Sequence, residues 1–343
     1  MNKFKDIKEH LKNNQHTWLI TGIAGFIGSN LMEALLKLNQ RVVGLDNFIT
    51  GHQENIDQVI NMFDADFIDK KFKFIEGDIN DLDICLDACT NIDYVLHHAA
   101  LGSVPRSVSD PISTHNANIN GFLNMLIASR DHNVRNFVYA SSSSIYGDHP
   151  DLPKVENKIG NPLSPYAVTK LVNEIYAKNF HSTYNFNSIG LRYFNIFGPR
   201  QDPNGAYAAV IPKWIIAMLN GQELFINGDG KTTRDFCYIE NVIQANILSA
   251  MTENEDSLNQ VYNIAVDDRT SLQDLYLMMG NLIKSSIEDI LIPDPSYRDF
   301  QDGDVRHSKG SIDKANMHLG YEASHKIEKG LEETVEWFIN NRI

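Results

Sequence analysis

The sequence predicts an α/β protein: a doubly wound parallel sheet, followed by a smaller α/β region on its C-terminal side. Three observations predict it. Apolar strand-like runs alternate with amphipathic helical stretches as far as Arg192, a glycine-rich turn joins the first strand to the first long helix, and an acidic residue closes the second strand.

The elements follow in order. Strand-like runs fall at Trp18 to Thr21, Arg41 to Leu45, Lys73 to Glu76, Tyr94 to Leu96, Asn136 to Ala140 and Ser188 to Leu191. Helical patterns separate them, so consecutive strands run parallel and helices cover both faces. Past Arg192 the regularity breaks at Gly198, Pro199, Pro203, Gly205 and Pro212, which mark irregular chain. Val261 to Ala265 reads as a strand returning to the main sheet. The organisation expected is a dinucleotide-binding domain over 1–192 with 236–265 returning to it, and a substrate-binding domain from 193–235 and 266–343.

With 343 residues and 43% apolar content the chain can bury a large core without disulfides. Cys85, Cys89 and Cys237 lack partner ligands at zinc-site spacing, so they are read as packing cysteines of a reducing compartment and no metal is expected. A net charge of −14 disfavours a nucleic-acid partner, which requires a basic face. No apolar run approaches a membrane span, and the Lys-rich stretch Met1 to Thr17 has no apolar signal region; a cytoplasmic protein is expected. The polar extension Met1 to His16 is a candidate helix packed on the first domain.

The first strand enters Gly22-Ile23-Ala24-Gly25-Phe26-Ile27-Gly28 and then a helix placed at Ser29 to Leu38. The first glycine permits the turn, the second lets backbone approach a pyrophosphate, and the third lets helix and strand pack closely, with the helix N-terminus receiving the negative charge. The second strand ends on Asp46, 18 residues after Gly28, where a carboxylate accepts from a ribose 2′-hydroxyl and repels a 2′-phosphate. That makes the fold Rossmann-type and the cofactor NAD. Gly77-Asp78-Ile79 and His97-His98-Ala99-Ala100 close further strands with small residues; Asp78 is a candidate for the adenine amino group.

The fifth strand ends in Ser141-Ser142-Ser143-Ser144, then Ile145-Tyr146-Gly147. Twenty residues after Tyr146, Tyr166 opens a helical stretch with Lys170 one turn on, so the two share a face. A lysine ammonium and a positive nicotinamide ring favour the tyrosinate, and a strand-end serine can pass it a proton from a sugar hydroxyl.

These segments resemble an extended short-chain dehydrogenase, and most specifically the UDP-hexose 4-epimerases. The resemblance runs from Thr17 onward through Thr21–Gly28, Leu45-Asp46-Asn47, the serine run with Tyr146-Gly147, Tyr166-Ala167-Val168-Thr169-Lys170 and Leu191-Arg192-Tyr193-Phe194-Asn195. It implies a catalytic Ser142, Tyr166 and Lys170. For the cofactor it implies Gly22, Gly25, Phe26, Ile27, Gly28, Asp46, Asn47, Asp78, Ile79, Ala99, Asn118 and Tyr193 beside Tyr166 and Lys170. Relatives that dehydrate nucleotide sugars carry an Asp-Glu pair where this chain has Ser143 and Ser144, which leaves epimerisation.

On the substrate side the resemblance implies Asn195, Ala209, Val210, Phe225, Asn227 and Arg234 around UDP. Epimerases often carry Arg where this chain has Gln301, before Gly303-Asp304, with Arg298 and Arg306 the candidates to replace that charge. Ser308 falls where UDP-galactose epimerases have a bulky Tyr, leaving room for an N-acetyl group. Ala100 to Ser107 and Gly147 to Pro150 look like the UDP-N-acetylglucosamine 4-epimerases of bacterial surface-polysaccharide pathways. Gly102, Ser144, Asn195, Ala209 and Ser308, with Tyr166, are the residues implied around the sugar, and Ser103, Ser142, Ser143 and Arg306 complete the implied substrate-binding set. The run Tyr139 to Ser144 is shared with UDP-glucuronate epimerases, so a uronate or an N-acetylated uronate is the alternative substrate. A non-catalytic sensor on the same fold would predict a degraded triad. The resemblance also implies a homodimer paired through Pro111 to His132 and Pro165 to Tyr184 in a four-helix bundle.

Overall fold

The computed structural model describes residues 3–205, 208–300 and 305–341. Gln301 and the Gly303-Asp304 pair lie outside them.

Seven parallel strands form the main sheet: β1 (Thr17–Thr21), β2 (Arg41–Asp46), β3 (Phe72–Glu76), β4 (Tyr94–His97), β5 (Asn136–Ser142), β6 (Ser188–Tyr193) and β7 (Val261–Ile264). Their order across the sheet is β7-β6-β5-β4-β1-β2-β3. Each strand is parallel to its neighbour, as in Trp18 opposite both Val42 and Tyr94. The order reverses between β1 and β4, and in an open α/β sheet a crevice opens at the carboxyl ends of the strands at such a reversal.

The apolar content of the strands explains why they are central. Trp18, Leu19, Ile20, Val95, Leu96, Phe137, Val138, Ile189 and Leu191 are all buried, as expected of strands covered on both faces. One face carries a core reaching from Leu35 and Leu36 through Ile215, Ile247 and Leu248 to Phe338. The other packs Phe122, Met125, Leu126 and Phe180 against Leu19, Val95 and Phe137, with Cys85 and Cys89 inside it. Burial pushes the Cys85 thiol up to about 12 and the Cys89 thiol up to about 11, so both are inert packing groups. Lys3–Asn13 is a helix whose Leu11 is fully buried. It is tied down by Gln40, whose amide donates to the carbonyls of Leu11 and Asn14 while its oxygen accepts from Trp18 Nε1 and the His16 backbone.

Two helices depart from the expected ranges. The helix after β1 begins at Phe26, not Ser29, because Gly25 takes an extended conformation and lets the first turn start directly behind the glycine bend. The stretch from Pro111 to Asp131 is interrupted by a π-helical turn over Asn116–Asn120. Beyond β6 the chain forms short pairs: Phe225–Asn227 with Ser296–Arg298, and Thr233–Arg234 with Thr270–Ser271.

Candidate active site

A cleft of about 480 Å³ lies over the carboxyl ends of the strands at the β1/β4 reversal. Its floor begins with Gly22, whose φ of +72° only glycine adopts without strain. A β-carbon there would stand 2.7 Å from the Ala99 nitrogen, and one on Gly28 would stand 2.2 Å from the Gly22 carbonyl. The turn therefore packs with no spare room. Gly25, which caps the Phe26–Lys37 helix, has no side chain to take its first N–H groups. These orphan donors border the cleft, together with Phe26, Ile27 and Gly28.

Asp46 closes one end. Its carboxylate accepts from the Ala24 and Phe48 N–H groups at 2.9 Å each, and burial holds its pKa above the usual carboxylate value against those bonds. Each oxygen keeps a lone pair for an incoming hydroxyl. Asp78 also lines the cleft, but its oxygens are already engaged by Asn47 Nδ2 and by the Asn80 backbone and amide. Asn47, Ile79, Ala99 and Tyr193 complete this wall. The glycine turn, open helix end and carboxylate together fit a dinucleotide.

The reactive groups meet at the other end, where Ser142, Tyr166 and Lys170 share the lining. Ser142 ends β5, and Tyr166 and Lys170 lie one turn apart on the helix Pro165–Tyr184, started by Pro165 and by Ser164, whose hydroxyl accepts from the Ala167 N–H. Lys170 Nζ donates to the Ala140 carbonyl at 2.9 Å and stands 5.9 Å from the centre of the Tyr166 ring. Burial lowers the Lys170 ammonium to about 8. Burial also raises Tyr166, offset in part by a hydrogen bond with Ser142. Ser142 Oγ accepts from the Ser144 N–H (3.1 Å) and Ser144 Oγ (2.9 Å). Both acceptor positions are then filled, and the Ser142 proton is left to point elsewhere.

A buried ion pair supports this floor from behind. Glu174, a turn beyond Lys170, takes both Arg192 Nε (2.9 Å) and Nη2 (2.7 Å), and accepts from Ser141 Oγ at 2.6 Å.

Gly102 and Asn195 also line the cleft, Asn195 with a φ of +31°. Other expected residues do not. Asn118 spends its side chain on the Leu101 backbone and Thr169 Oγ1; it shapes the 101–102 loop and offers nothing to a cofactor directly. Ser103 caps the Val104–Ser109 helix, Ser143 and Ser144 sit in the turn after β5, and Ala209 precedes the Val210–Leu219 helix. Phe225 lies under the Arg298 guanidinium, 3.1 Å from its ring centre, and Asn227 pairs with Arg298 in the strand ladder. Arg234 Nη1 donates to the Thr233 carbonyl, and Ser308 N–H to that same carbonyl. The Arg306 guanidinium is engaged at the surface by Asp229 at 2.7 Å and by the Phe300 ring, and Arg298 is the cation over Phe225.

Among the lining residues that the sequence did not assign to the site are Gln201 and His98. Gln201 borders the cleft with its Oε1 buried and without a hydrogen-bond partner among the described residues, its amide donating to the Ile196 carbonyl. His98 Nε2 meets Tyr193 Oη at 2.9 Å, and burial drives the imidazole down to about 3. Neither stands in a recognisable motif; only their neighbourhood, beside the Arg192–Asn195 run and at the end of β4, gave any signal. Among the described residues no cluster of three or more His, Cys, Asp or Glu is placed to hold a metal, and no helix is long and apolar enough to cross a membrane.

A dinucleotide cleft ending in a Ser, Tyr and Lys group defines an oxidoreductive enzyme of the Rossmann class. The model of the NAD dependent epimerase/dehydratase family matches residues 18–265, and the chain belongs to that family. A UDP-glucose 4-epimerase of Mycolicibacterium smegmatis is 33% identical over 94% of this chain and 98% of its own length. A UDP-N-acetylglucosamine 4-epimerase from Methanobrevibacter ruminantium M1, solved with UDP-N-acetylmuramic acid, superposes with a TM-score of 0.86 at 36% identity, covering 96% of this chain and 99% of that one. A UDP-glucuronic acid 4-epimerase from Bacillus cereus, solved with UDP-glucuronic acid and NAD, gives a TM-score of 0.83 at 30% identity, covering 95% and 99%. Within the family this chain is an NAD-dependent nucleotide-sugar 4-epimerase.

Proposed function

We propose that the enzyme interconverts UDP-N-acetylglucosamine and UDP-N-acetylgalactosamine by inverting carbon 4. The observation that carries the choice of sugar is Gly102. It lines the cleft with Ser142 and Tyr166, and a β-carbon built on it would meet no atom within 4 Å. That is open volume along the cleft that the reacting groups also line, as a 2-acetamido substituent requires. The similarity to the Methanobrevibacter ruminantium enzyme supports the same reading.

In this reading NAD, held by the glycine turn, Asp46 and the Tyr193 wall, supplies a reversible hydride acceptor. Tyr166 takes the 4-hydroxyl proton beside Ser142, whose own proton is directed at Tyr166 while Ser144 fills its acceptor positions. Lys170 favours the tyrosinate. Once the 4-keto sugar had turned its opposite face to the cofactor side, Tyr166 would give its proton back to the oxygen at carbon 4. No net oxidant is consumed.

The second reading, a UDP-glucuronate or N-acetylated uronate epimerase, is favoured by likeness to the Bacillus cereus enzyme and by the Tyr139–Ser144 run. We also propose a homodimer through the helices around Pro111–His115 and Pro165–Tyr184. They leave Ile112, Val168 and Ile175 at 74%, 46% and 59% exposure, an unpartnered apolar stripe. Light scattering on the holoenzyme should give twice the chain mass; a single-chain mass removes this part. Separate incubation with UDP-GlcNAc, UDP-glucose and UDP-glucuronate tests the sugar: fastest conversion of UDP-GlcNAc supports the proposal, and fastest conversion of UDP-glucuronate replaces it with the second reading.

A further inference from the structure

Asp235 is a fully buried carboxylate with no cation among its hydrogen-bond partners in the described residues. Removing a carboxylate from water costs several kcal/mol unless its oxygens are otherwise satisfied, and structural sites normally avoid it. Here three backbone N–H groups do the satisfying. Val266 donates to Oδ1 at 2.9 Å, Gly310 to Oδ2 at 3.2 Å, and the Asp268 N–H adds a third. Burial still holds the acid far above its usual range, at about 7, despite these bonds. The fold therefore retains a group that is costly where it stands.

What the carboxylate joins explains its retention. Val266 follows β7, the edge of the main sheet, whose Ile264 carbonyl accepts from Phe194 N–H. Gly310 stands two residues after Ser308, at the end of a segment stitched to Thr233 by two backbone bonds, Thr233 N–H to Arg306 O and Ser308 N–H to Thr233 O, both 3.1 Å. Asp235 itself follows Arg234, and its own carbonyl accepts from Asn195 Nδ2 at 3.1 Å. Asn195 is locked from the other side by Cys237 N–H on its carbonyl. The Asp235 carboxylate thus ties the Gly310 end of the Ser308 segment and its own Arg234 strand to the chain leaving the sheet edge at Val266, while its backbone carbonyl holds Asn195 independently of the side chain. None of its bonds reaches the glycine turn or the Ser142, Tyr166 and Lys170 group.

We propose that Asp235 is a positioning residue for the UDP-sugar half of the site: its carboxylate clamps the end of the 306–310 segment and the Arg234 strand onto the sheet edge, setting substrate affinity without taking part in cofactor binding or chemistry. This rests on the UDP-sugar reading above. A clamp made of a desolvated charge favours geometry over stability, a trade seen where function needs a costly group.

The test is Asp235→Asn, which keeps the shape and removes the charge, so that one of the backbone N–H groups of Val266 and Gly310 loses its acceptor and faces the amide NH2. In NAD-loaded enzyme the expected result is a KM for the UDP-sugar raised about tenfold, a weakening equivalent to 1.4 kcal/mol, with kcat within about threefold, unchanged NAD per chain and a Tm equal to or above wild type. Unchanged KM in folded, NAD-loaded variant overturns the proposal. So does a variant losing Tm, NAD and kcat together, which is the mark of a purely structural residue. If the variant does not accumulate folded, amide exchange on wild-type holoenzyme with and without UDP decides. Slowed exchange at 266–268 and 308–311 on adding UDP supports the clamp, and no change there overturns it. Failure of wild-type holoenzyme to bind UDP at all sinks the UDP-sugar reading itself, and the clamp with it.

Discussion

Replacing Lys170 by Met should slow the enzyme through a single physical term, the charge felt by Tyr166. The ammonium stands 5.9 Å from the Tyr166 ring centre. Taking the ring-centre distance as the charge separation, two unit charges at an effective dielectric near 20 interact by about 2.8 kcal/mol, equivalent to about two pKa units on the phenol. Tyr166 is already raised by burial, so losing the ammonium shrinks the tyrosinate fraction at pH 7 by about 100-fold, and kcat with it. Lys170→Met should therefore fall about 100-fold at pH 7, measured per NAD-loaded chain to separate chemistry from cofactor loss. The deficit should also narrow with pH. Above about 8 the wild-type ammonium itself is being lost, while hydroxide ionises the variant's phenol, so the two profiles converge. A loss below about threefold at pH 7, or a 100-fold loss that stays constant up to pH 10, refutes the electrostatic account.

Other consequences follow from the same geometry. Gly28→Ala places a methyl 2.2 Å from the Gly22 carbonyl; it should cost about 1–3 kcal/mol in denaturant unfolding and empty the enzyme of NAD, seen as lost cofactor absorbance after denaturation. Gly102→Leu puts a bulky side chain into the open volume along the cleft, and Ser308→Tyr tests the wall that the family resemblance implies near carbon 2. Each should depress turnover of N-acetylated substrate at least tenfold more than turnover of UDP-glucose, by chromatography of the products. Burial depresses His98 from 6.5 in the unfolded chain to about 3 in the fold. Its neutral form therefore contributes stability that is present above pH 6.5 and lost as pH falls through that window, at up to about 1.4 kcal/mol per pH unit. His98→Gln should flatten the pH dependence of urea unfolding between pH 6.5 and 4; an unchanged slope contradicts the assignment.

Much of this architecture can be read from the amino-acid order because the strands are apolar runs of ordinary length and the glycine turn has a steric reason at each position. Other features have no such signature. The start of the first long helix at Phe26 depends on the conformation of Gly25, which composition does not reveal. The π-helical turn at Asn116–Asn120 inserts extra backbone without altering the residue pattern, yet it is what directs Asn118 toward Leu101 and Thr169. Gln201 and His98 line the cleft because distant segments converge, and Arg306 turns to Asp229 and Phe300 through contacts between loops. The Ser142, Tyr166 and Lys170 group was legible for the opposite reason: a strand end and one helical turn, both local in sequence, bring its members to the same cleft.

The central claim is most directly tested by incubating purified enzyme, without added cofactor, with UDP-GlcNAc and following the products by NMR. The account predicts an equilibrium mixture of UDP-GlcNAc and UDP-GalNAc with no net change in NADH absorbance, formed faster than UDP-glucose or UDP-glucuronate is epimerised. Unchanged UDP-GlcNAc from enzyme carrying its NAD, alongside turnover of another UDP-sugar, would contradict it.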